Sequence, residues 1–454
     1  MKIEVSIGEA IDKLSILELK LSRINNEEQQ VEIQKEINIL EECKNYKNLS
    51  DGYYYKLLIY FNEQIWEMTD IIKNMEITNP KFSEISNQIF VFNQKRFRIK
   101  NVFNILSDSN IKEQKSYKKT HCKIIIDDEE LFYNKIEEIN YLSFEYDIIS
   151  FESKFISTIS NIFKHPNIYY NNVNYEVTNT INLYYFSISH ELKNIYDFTP
   201  IVYISGGKLG DLIHNLSVIN EFFYKFGRKG ILFISENSIY HGEKFQYSLL
   251  DTYNDTYVVF KKQRYIKEYY IHNNETFNIN LNVWRKSPRF WSQNFYETYK
   301  SIYNIEWGLH KWIEIDKNNV IEELKDTVLV NFSIERLTDS VNIDELHQYK
   351  KNMKFICFDK EQYTFFCNKT NINIDCIKVN NFYDLCVCIN SCKLFIGGQT
   401  MPLALSNSMH KKSIICFFED FAKILHNGLH KIWKNVDYIQ NKQENKQDNL
   451  YKYM

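Results

Sequence analysis

The chain has 454 residues, of which 44% are hydrophobic and 25% charged, with a formal net charge of -3; it is too long for one ordinary domain, and the balance excludes a global basic field for binding polyanions such as nucleic acid. Nine cysteines occur without a C-x-x-C pair, no leader of basic then apolar residues opens MKIEVSIGEA, and no run of about 18 apolar residues exists, so a reducing, cytoplasmic location without a membrane span is expected.

From 5 to about 43 the pattern is helical, with Ile7, Ile11, Leu14, Leu17, Leu19 and Leu21 near the helical period. Ser6 precedes Glu9 by three, which signals a capping box. Two further amphipathic stretches, LLIYFNEQIWEMTDIIKNME and FSEISNQIFVFNQKRFRIKNVFNIL, complete a helical domain over 1–120. The segments IEVSIGEAIDKLSILELKL, FNEQIWEMTDIIKNME and IFVFNQKRFRIKNVFNILSDSNIKEQKSY resemble an uncharacterised helical domain family of bacteria and large DNA viruses. That resemblance implies a boundary near Tyr117 and no particular activity; assembly, including homo-oligomerisation through these helices, or docking is the expected role. Arg96, Arg98 and Lys100 read either as a basic face for an anionic partner or as a solvated helix face.

Between 121 and 199 apolar runs that read as strands (CKIII, YLSFEYDII, NIYYNNVNYEV, INLYYF) alternate with helix-like pieces, as in a small α/β or connecting region. Asp127, Asp128, Glu129 and Glu130 come directly after CKIII. They suit either a carboxylate pair on a metal-bound nucleotide or the cap of the next helix.

The stretch IVYISGGKLGDLIH, 201–214, reads as strand, tight loop and helix. Gly206, Gly207 and Gly210 let the backbone turn and approach a ligand, Lys208 lies between them, and the helix behind directs its N–H groups at the loop. The spacing is not G-x-G-x-x-G, which argues against dinucleotide binding of the dehydrogenase kind. GILFISE (230–236) and TYVVF (256–260) are expected strands, and NINLNVWRKSPRFWSQNFYETYKSIYNI is rich in loops. Together 200–320 make a first Rossmann-like domain.

A second series spans 321–436. Expected strands TVLVNFS (327–333), KFICFD (354–359), IDCIKV (374–379), KLFIGG (393–398) and SIICFF (413–418) alternate with helices near 343–352, 360–369, 381–391 and 402–409. Residues 437–454 form a polar tail. Cys386, Cys388 and Cys392 lie in an apolar segment without zinc-site spacing and read as buried thiols. Gly397, Gly398, Gln399 and Thr400, with Pro402 next, suit a phosphate-facing loop at a helix N-terminus. Asn331, Ser333 and Arg336, at and beyond the end of TVLVNFS, join that set; Arg336 is either a two-pronged phosphate ligand or a surface arginine.

GGKLGDLIHNLSVI resembles the G-D-x-x-H-x-L motif of the lipopolysaccharide heptosyltransferases, glycosyltransferase family 9, and CKLFIGGQTMPLALSNSMHKKSIICFF resembles the late strand-loop-helix of that family. The resemblance covers about 200–420. It implies an α/β fold of two Rossmann-like domains in GT-B arrangement, here behind a helical N-terminal domain. It also implies a nucleotide-diphosphate sugar as donor, a hydroxyl on a glycan, lipid-linked or protein acceptor, inverting transfer, and no metal or other cofactor. Asp211 matches the family's catalytic base, against its alternative role as a helix cap. His214 either orients the acceptor or satisfies a backbone group. Where that family has Asp-Thr-Gly and then a His, this chain has Gln399, Thr400, Met401 and Ala404, which leaves the sugar open. A nucleotide-sugar 2-epimerase and a non-catalytic sugar- or nucleotide-binding scaffold are the other readings.

Overall fold

The computed structural model describes residues 4–111, 119–155, 167–170, 173–196, 200–236, 245–286, 295–334, 346–398, 400–416 and 436–439. Residues 1–199 with 224–228 form one compact unit, and the remainder forms another.

The first unit holds helices α1 (Ile7–Arg23), α2 (Glu27–Ile39), α3 (Tyr53–Lys73) and α4 (Pro80–Leu106), of which α1, α2 and α4 begin behind a side-chain cap. Ser6 Oγ accepts from Glu9 N at 3.2 Å, Asn26 Oδ1 accepts from Gln29 N at 3.0 Å, and Asn79 caps α4 ahead of Pro80. Ile11, Leu14, Leu58, Phe61, Ile99 and Phe103 are fully buried where α1, α3 and α4 pack. Gly8 lets α1 lie directly against α4, since a Cβ there would come within 2.2 Å of the Lys100 carbonyl oxygen.

Neither reading of Arg96, Arg98 and Lys100 survives. Arg96 clamps Asp12 through Nε (2.8 Å) and Nη2 (2.5 Å), Arg98 donates to Asp147 (3.0 Å) and to the Phe144 carbonyl (2.8 Å), and Lys100 holds Glu9 (2.7 Å). Arg98 is 3% exposed and Lys100 7% exposed. The run is an internal ion-pair seam, since charges this deep in a fold persist only when paired.

Strands β1 (His121–Ile126), β2 (Ile148–Ser153), β3 (Ile168–Tyr169) and β4 (Asn179–Asn182) form a parallel sheet in the order β3-β2-β1-β4. Helices α5 (Glu129–Asn134) and α6 (Ile136–Glu145) connect β1 to β2, and α7 (His190–Ile195) comes after β4. Asp128 Oδ1 accepts from Glu130 N at 2.9 Å, so this carboxylate takes the capping role.

The second unit holds two parallel sheets. Strands β5 (Ile201–Gly206), β6 (Gly230–Ser235), β7 (Ile266–Ile271) and β8 (Ile279–Asn280) lie in the order β7-β6-β5-β8. Helices α8 (Leu209–Phe226), α9 (Leu249–Phe260) and α10 (Phe295–Tyr303) accompany them. TYVVF, expected as a strand, is the last turn and a half of α9: Ser248 caps that helix, and Thr252, Thr256, Val259 and Phe260 are buried at helical spacing. The helical burial stripe outweighs the β-branched composition here.

Strands β9 (Val328–Asn331), β10 (Met353–Cys357), β11 (Asp375–Lys378), β12 (Leu394–Gly397), β13 (Ser413–Cys416) and β14 (Val436–Ile439) make the other sheet, in the order β11-β10-β9-β12-β13-β14. Helices α11 (Lys360–Thr370), α12 (Phe382–Ser391) and α13 (Met401–Ser408) stand where they were expected. The helix expected near 343–352 falls in part outside the described residues, and its remainder ends in a short turn of 3-10 helix at Lys350–Asn352. Strand β14 extends the sheet beyond the five strands read from sequence. Counting from the first strand of each sheet, the orders are 3-2-1-4 and 3-2-1-4-5-6, which is Rossmann-like topology. The protein is thus α/β with parallel Rossmann-like sheets and a helical N-terminal region.

The two sheets of this unit are joined through α9 and α12. Phe260 meets Phe382 edge to face with ring centres 5.6 Å apart, and Asp255 Oδ1 accepts from Phe382 N at 2.9 Å. Further along, the Ser408 carbonyl accepts from Trp312 N at 3.0 Å. Cys386, Cys388 and Cys392 are buried, and burial pushes their thiols up, to about 11 for the last two.

Candidate active site

In an open parallel sheet, connections leave in opposite directions on either side of the first strand, which opens a crevice at the carboxyl ends of that strand and its fourth-strand neighbour. In the β5 sheet this point lies between β5 and β8, where Ile204 pairs with Asn280; in the β9 sheet it lies between β9 and β12, where Asn331 pairs with Gly397. The two glycine-bearing loops singled out in the sequence leave from these two points.

Gly206 ends β5 so close to β6 that a Cβ would stand 2.4 Å from the Ser235 carbonyl oxygen. Gly207 turns the chain at φ 89°, a conformation side chains resist. Lys208 is exposed, and α8 begins at Leu209. Asp211 therefore sits inside the first turn of the helix and past its cap position. Its carboxylate is held by Arg285 Nη2, with the two side chains 15% and 18% exposed. The Arg285 guanidinium lies over the Trp284 ring, 4.8 Å from its centre.

Trp284 is in turn fixed from α8. Asn215, one turn after Asp211 and fully buried, accepts from Trp284 Nε1 (3.0 Å) and from the Tyr299 hydroxyl (2.6 Å), while its amide nitrogen faces Ser205 Oγ (2.9 Å) and the Asn282 amide (3.1 Å). Burial before all else keeps the Tyr299 hydroxyl protonated, far above the ordinary tyrosine range. His214 is buried with its ring 5.6 Å from that of Trp307, and its carbonyl accepts from Trp307 Nε1 at 3.1 Å. Loss of hydration lowers its imidazole to about 3, so the ring is neutral near pH 7 and packs under the site.

Across the crevice, Gly397 is required by β9, because a Cβ there would lie 2.6 Å from the Asn331 carbonyl oxygen. Asn331 donates through Nδ2 to the Ile356 carbonyl at 2.8 Å, and Thr400 Oγ1 donates to Asn331 Oδ1 (3.4 Å) and the Gly398 carbonyl (3.3 Å). Thr400 occupies the cap position of α13 without closing it by its side chain, and Pro402 lies in the first turn. Leu403 N and Ala404 N bond back to the Thr400 carbonyl. Ser333 is half-buried just beyond Asn331. Gln399 and Arg336 lie outside the described residues.

The two loops meet. A Cβ on Gly210 would stand 3.8 Å from Met401 Cα, so the first turns of α8 and α13 lie in van der Waals contact. Two helix N-termini, whose dipoles favour an anion, come together there with the Asp211 carboxylate, the Arg285 guanidinium and the exposed Lys208. Such a site can hold a charged leaving group with backbone dipoles and accept a proton at a carboxylate. Among the described residues no group of three or more His, Cys, Asp or Glu is placed to hold a metal ion.

The glycine loops read from the sequence bring Gly206, Gly207, Lys208, Gly210 and Asp211 to the same crevice as Gly397, Gly398 and Thr400. Arg285, Trp284, Asn215 and Tyr299 were not found that way. Asn215 carried a usable signal, being polar on the apolar face of α8 at i+4 from Asp211; Trp284 and Arg285 sit in a short 3-10 turn, Val283–Lys286, which leaves no periodic trace.

Residues 1–126 match the family of unknown function DUF6165. No curated protein matches the sequence. Among solved structures, E. coli heptosyltransferase WaaC with ADP superposes with a TM-score of 0.31 at 7% identity, over 53% of this chain and 92% of that one. The glycosyl transferase family 9 protein of Veillonella parvula DSM 2008 gives 0.21 at 10% identity, over 65% and 80%. A protein described as a UDP-N-acetylglucosamine 2-epimerase from Listeria monocytogenes gives 0.19 at 9% identity, over 66% and 79%. These superpositions are partial, and the Rossmann-like architecture rests on the strand orders. No helix among the described residues is long and apolar enough to cross a membrane.

Proposed function

We propose that the second unit is a glycosyltransferase that moves a sugar from a nucleotide-diphosphate sugar to a hydroxyl acceptor, with inversion and without a metal. The observation that carries this reading is the meeting of Gly210 with Met401, which joins a carboxylate-bearing helix mouth to a glycine loop of phosphate-binding character. The donor diphosphate lies at Gly397 to Thr400 with Asn331 and Ser333 beside it, where loop N–H groups and the α13 dipole stabilise the departing diphosphate.

Asp211 accepts the proton of the acceptor hydroxyl as that oxygen attacks the anomeric carbon and the bond to the diphosphate breaks. Gly206, Gly207, Lys208 and Gly210 line the acceptor side. His214, buried and neutral near pH 7, is assigned to packing against Trp307. A glycan, a lipid-linked sugar or a glycosylated protein fits this role as acceptor, and the helical unit would dock it or pair copies of the chain in the cytoplasm.

The test is a panel of nucleotide-diphosphate sugars incubated with the full chain and with Asp211→Asn, monitoring released nucleoside diphosphate. Release that depends on both an added acceptor and Asp211 supports transfer. Conversion of a donor alone into its 2-epimer replaces the reading with an epimerase, and binding without turnover across the panel replaces it with a sugar-binding scaffold.

A further inference from the structure

We infer that Arg285 is an exchangeable clamp on Asp211: it holds the carboxylate until substrate arrives and transfers to a phosphate group of the bound substrate, which releases the base. The catalytic consequence rests on the function proposed above, although the exchange itself is a binding property. Three features of the geometry lead there.

First, the pair joins two separate segments at the crevice. Asp211 belongs to the first turn of α8, and Arg285 to the turn after β8, beside the switch point of this sheet, the place where open parallel sheets bind ligands. Second, Arg285 is held by its flat face as well as by its edge. The guanidinium rests on the Trp284 ring, and Trp284 is anchored by Asn215, so the cation keeps its place when one hydrogen-bonded partner is exchanged for another. A planar guanidinium whose edge carries the donors suits a phosphate as well as it suits a carboxylate.

Third, a carboxylate bound to a guanidinium is a poor proton acceptor, because the neighbouring cation favours its charged form. A transferase that kept this pair closed during the reaction would suppress its own base. Both side chains are partly open to solvent, 15% and 18%, so an incoming anion can reach the pair without unfolding anything. The positive ends of two helices and Lys208 already favour an anion at this place. The exchange therefore couples substrate arrival to base release, and it protects a donor from hydrolysis until the site is filled.

Isothermal titration calorimetry with inorganic pyrophosphate tests this on the full-length chain, with unchanged melting temperature as the check on folding. A charge-assisted hydrogen bond is among the strong ones, so freeing Arg285 in Asp211→Asn is expected to tighten pyrophosphate by about tenfold. Arg285→Ala should weaken it by about tenfold, and Arg285→Lys, which keeps the charge but loses the fork, should recover only part of the loss. The double variant decides between exchange and a general change of charge: exchange requires it to bind as weakly as Arg285→Ala, whereas retained tightening overturns the inference. Unchanged affinity in Asp211→Asn overturns it as well. The same titrations with ADP and UDP and with glucose 6-phosphate distinguish a donor phosphate from an acceptor phosphate by which one loses affinity with Arg285; loss of neither contradicts the clamp. Because pyrophosphate binding needs no turnover, a chain that fails every donor can still pass this test, and the reverse also holds.

Discussion

A single oxygen of Asn215 accepts from both the Trp284 indole, at 3.0 Å, and the Tyr299 hydroxyl, at 2.6 Å. The amide that carries it is fully buried, so replacement by an apolar side chain strands two donors without water to take over. Asn215→Leu is expected to cost about 3 kcal/mol in urea unfolding read by tryptophan fluorescence, and to loosen Trp284 and with it Arg285. A loss under about 0.5 kcal/mol would mean that the network holds Trp284 no more firmly than a solvent-exposed contact would.

His214 gives a pH dependence with a defined sign. Its imidazole is lowered from 6.5 to about 3 by burial, so between those values the unfolded chain binds a proton that the folded chain does not. Its contribution is fully present above pH 6.5 and is lost as pH falls toward 3, on the order of 5 kcal/mol in all. His214→Phe, which keeps a ring against Trp307, should flatten the acid side of the stability curve by up to about 1.4 kcal/mol per pH unit. Equal slopes for the two proteins would exclude the buried imidazole as the cause.

In the helical unit, the sign of one substitution separates propensity from packing. Alanine in place of glycine within a helix ordinarily stabilises by about 1 kcal/mol. At Gly8 the added Cβ would stand 2.2 Å from the backbone oxygen of Lys100, and backbone cannot swing aside as a side-chain tip can. Gly8→Ala is therefore expected to destabilise by about 2 kcal/mol or more, read as a lower melting temperature. A rise would show that α1 and α4 leave room for a methyl group at this crossing.

The same seam shows where sequence stops being informative. Ser6 announces its helix because a cap is decided within three residues, and the glycine loops after β5 and β12 announce themselves for the same reason, whereas the break between α1 and α2 at Asn26 is hidden in the continuous helical pattern of 5–43. Asp12 and Arg96 are 84 positions apart, so their pairing leaves no local mark, and the run at 96–100 looks like any charged helix face. TYVVF has strand composition, and only the burial of Thr252 and Thr256 together with Val259 and Phe260 shows it to be helix. In the crevice, Asp211 was legible from its loop, whereas Arg285 was not, because it comes from the far side of the β8 crossover.

The proposed reaction turns on Asp211, and the most direct measurement compares sugar transfer by the wild-type chain and Asp211→Asn at saturating donor and acceptor, with donor affinity measured in parallel. Removal of a general base lowers turnover by about 10²- to 10⁴-fold, so a loss of at least about 100-fold with donor affinity undiminished is the expected result. Turnover equal to that of the wild type would contradict the role of Asp211 as base.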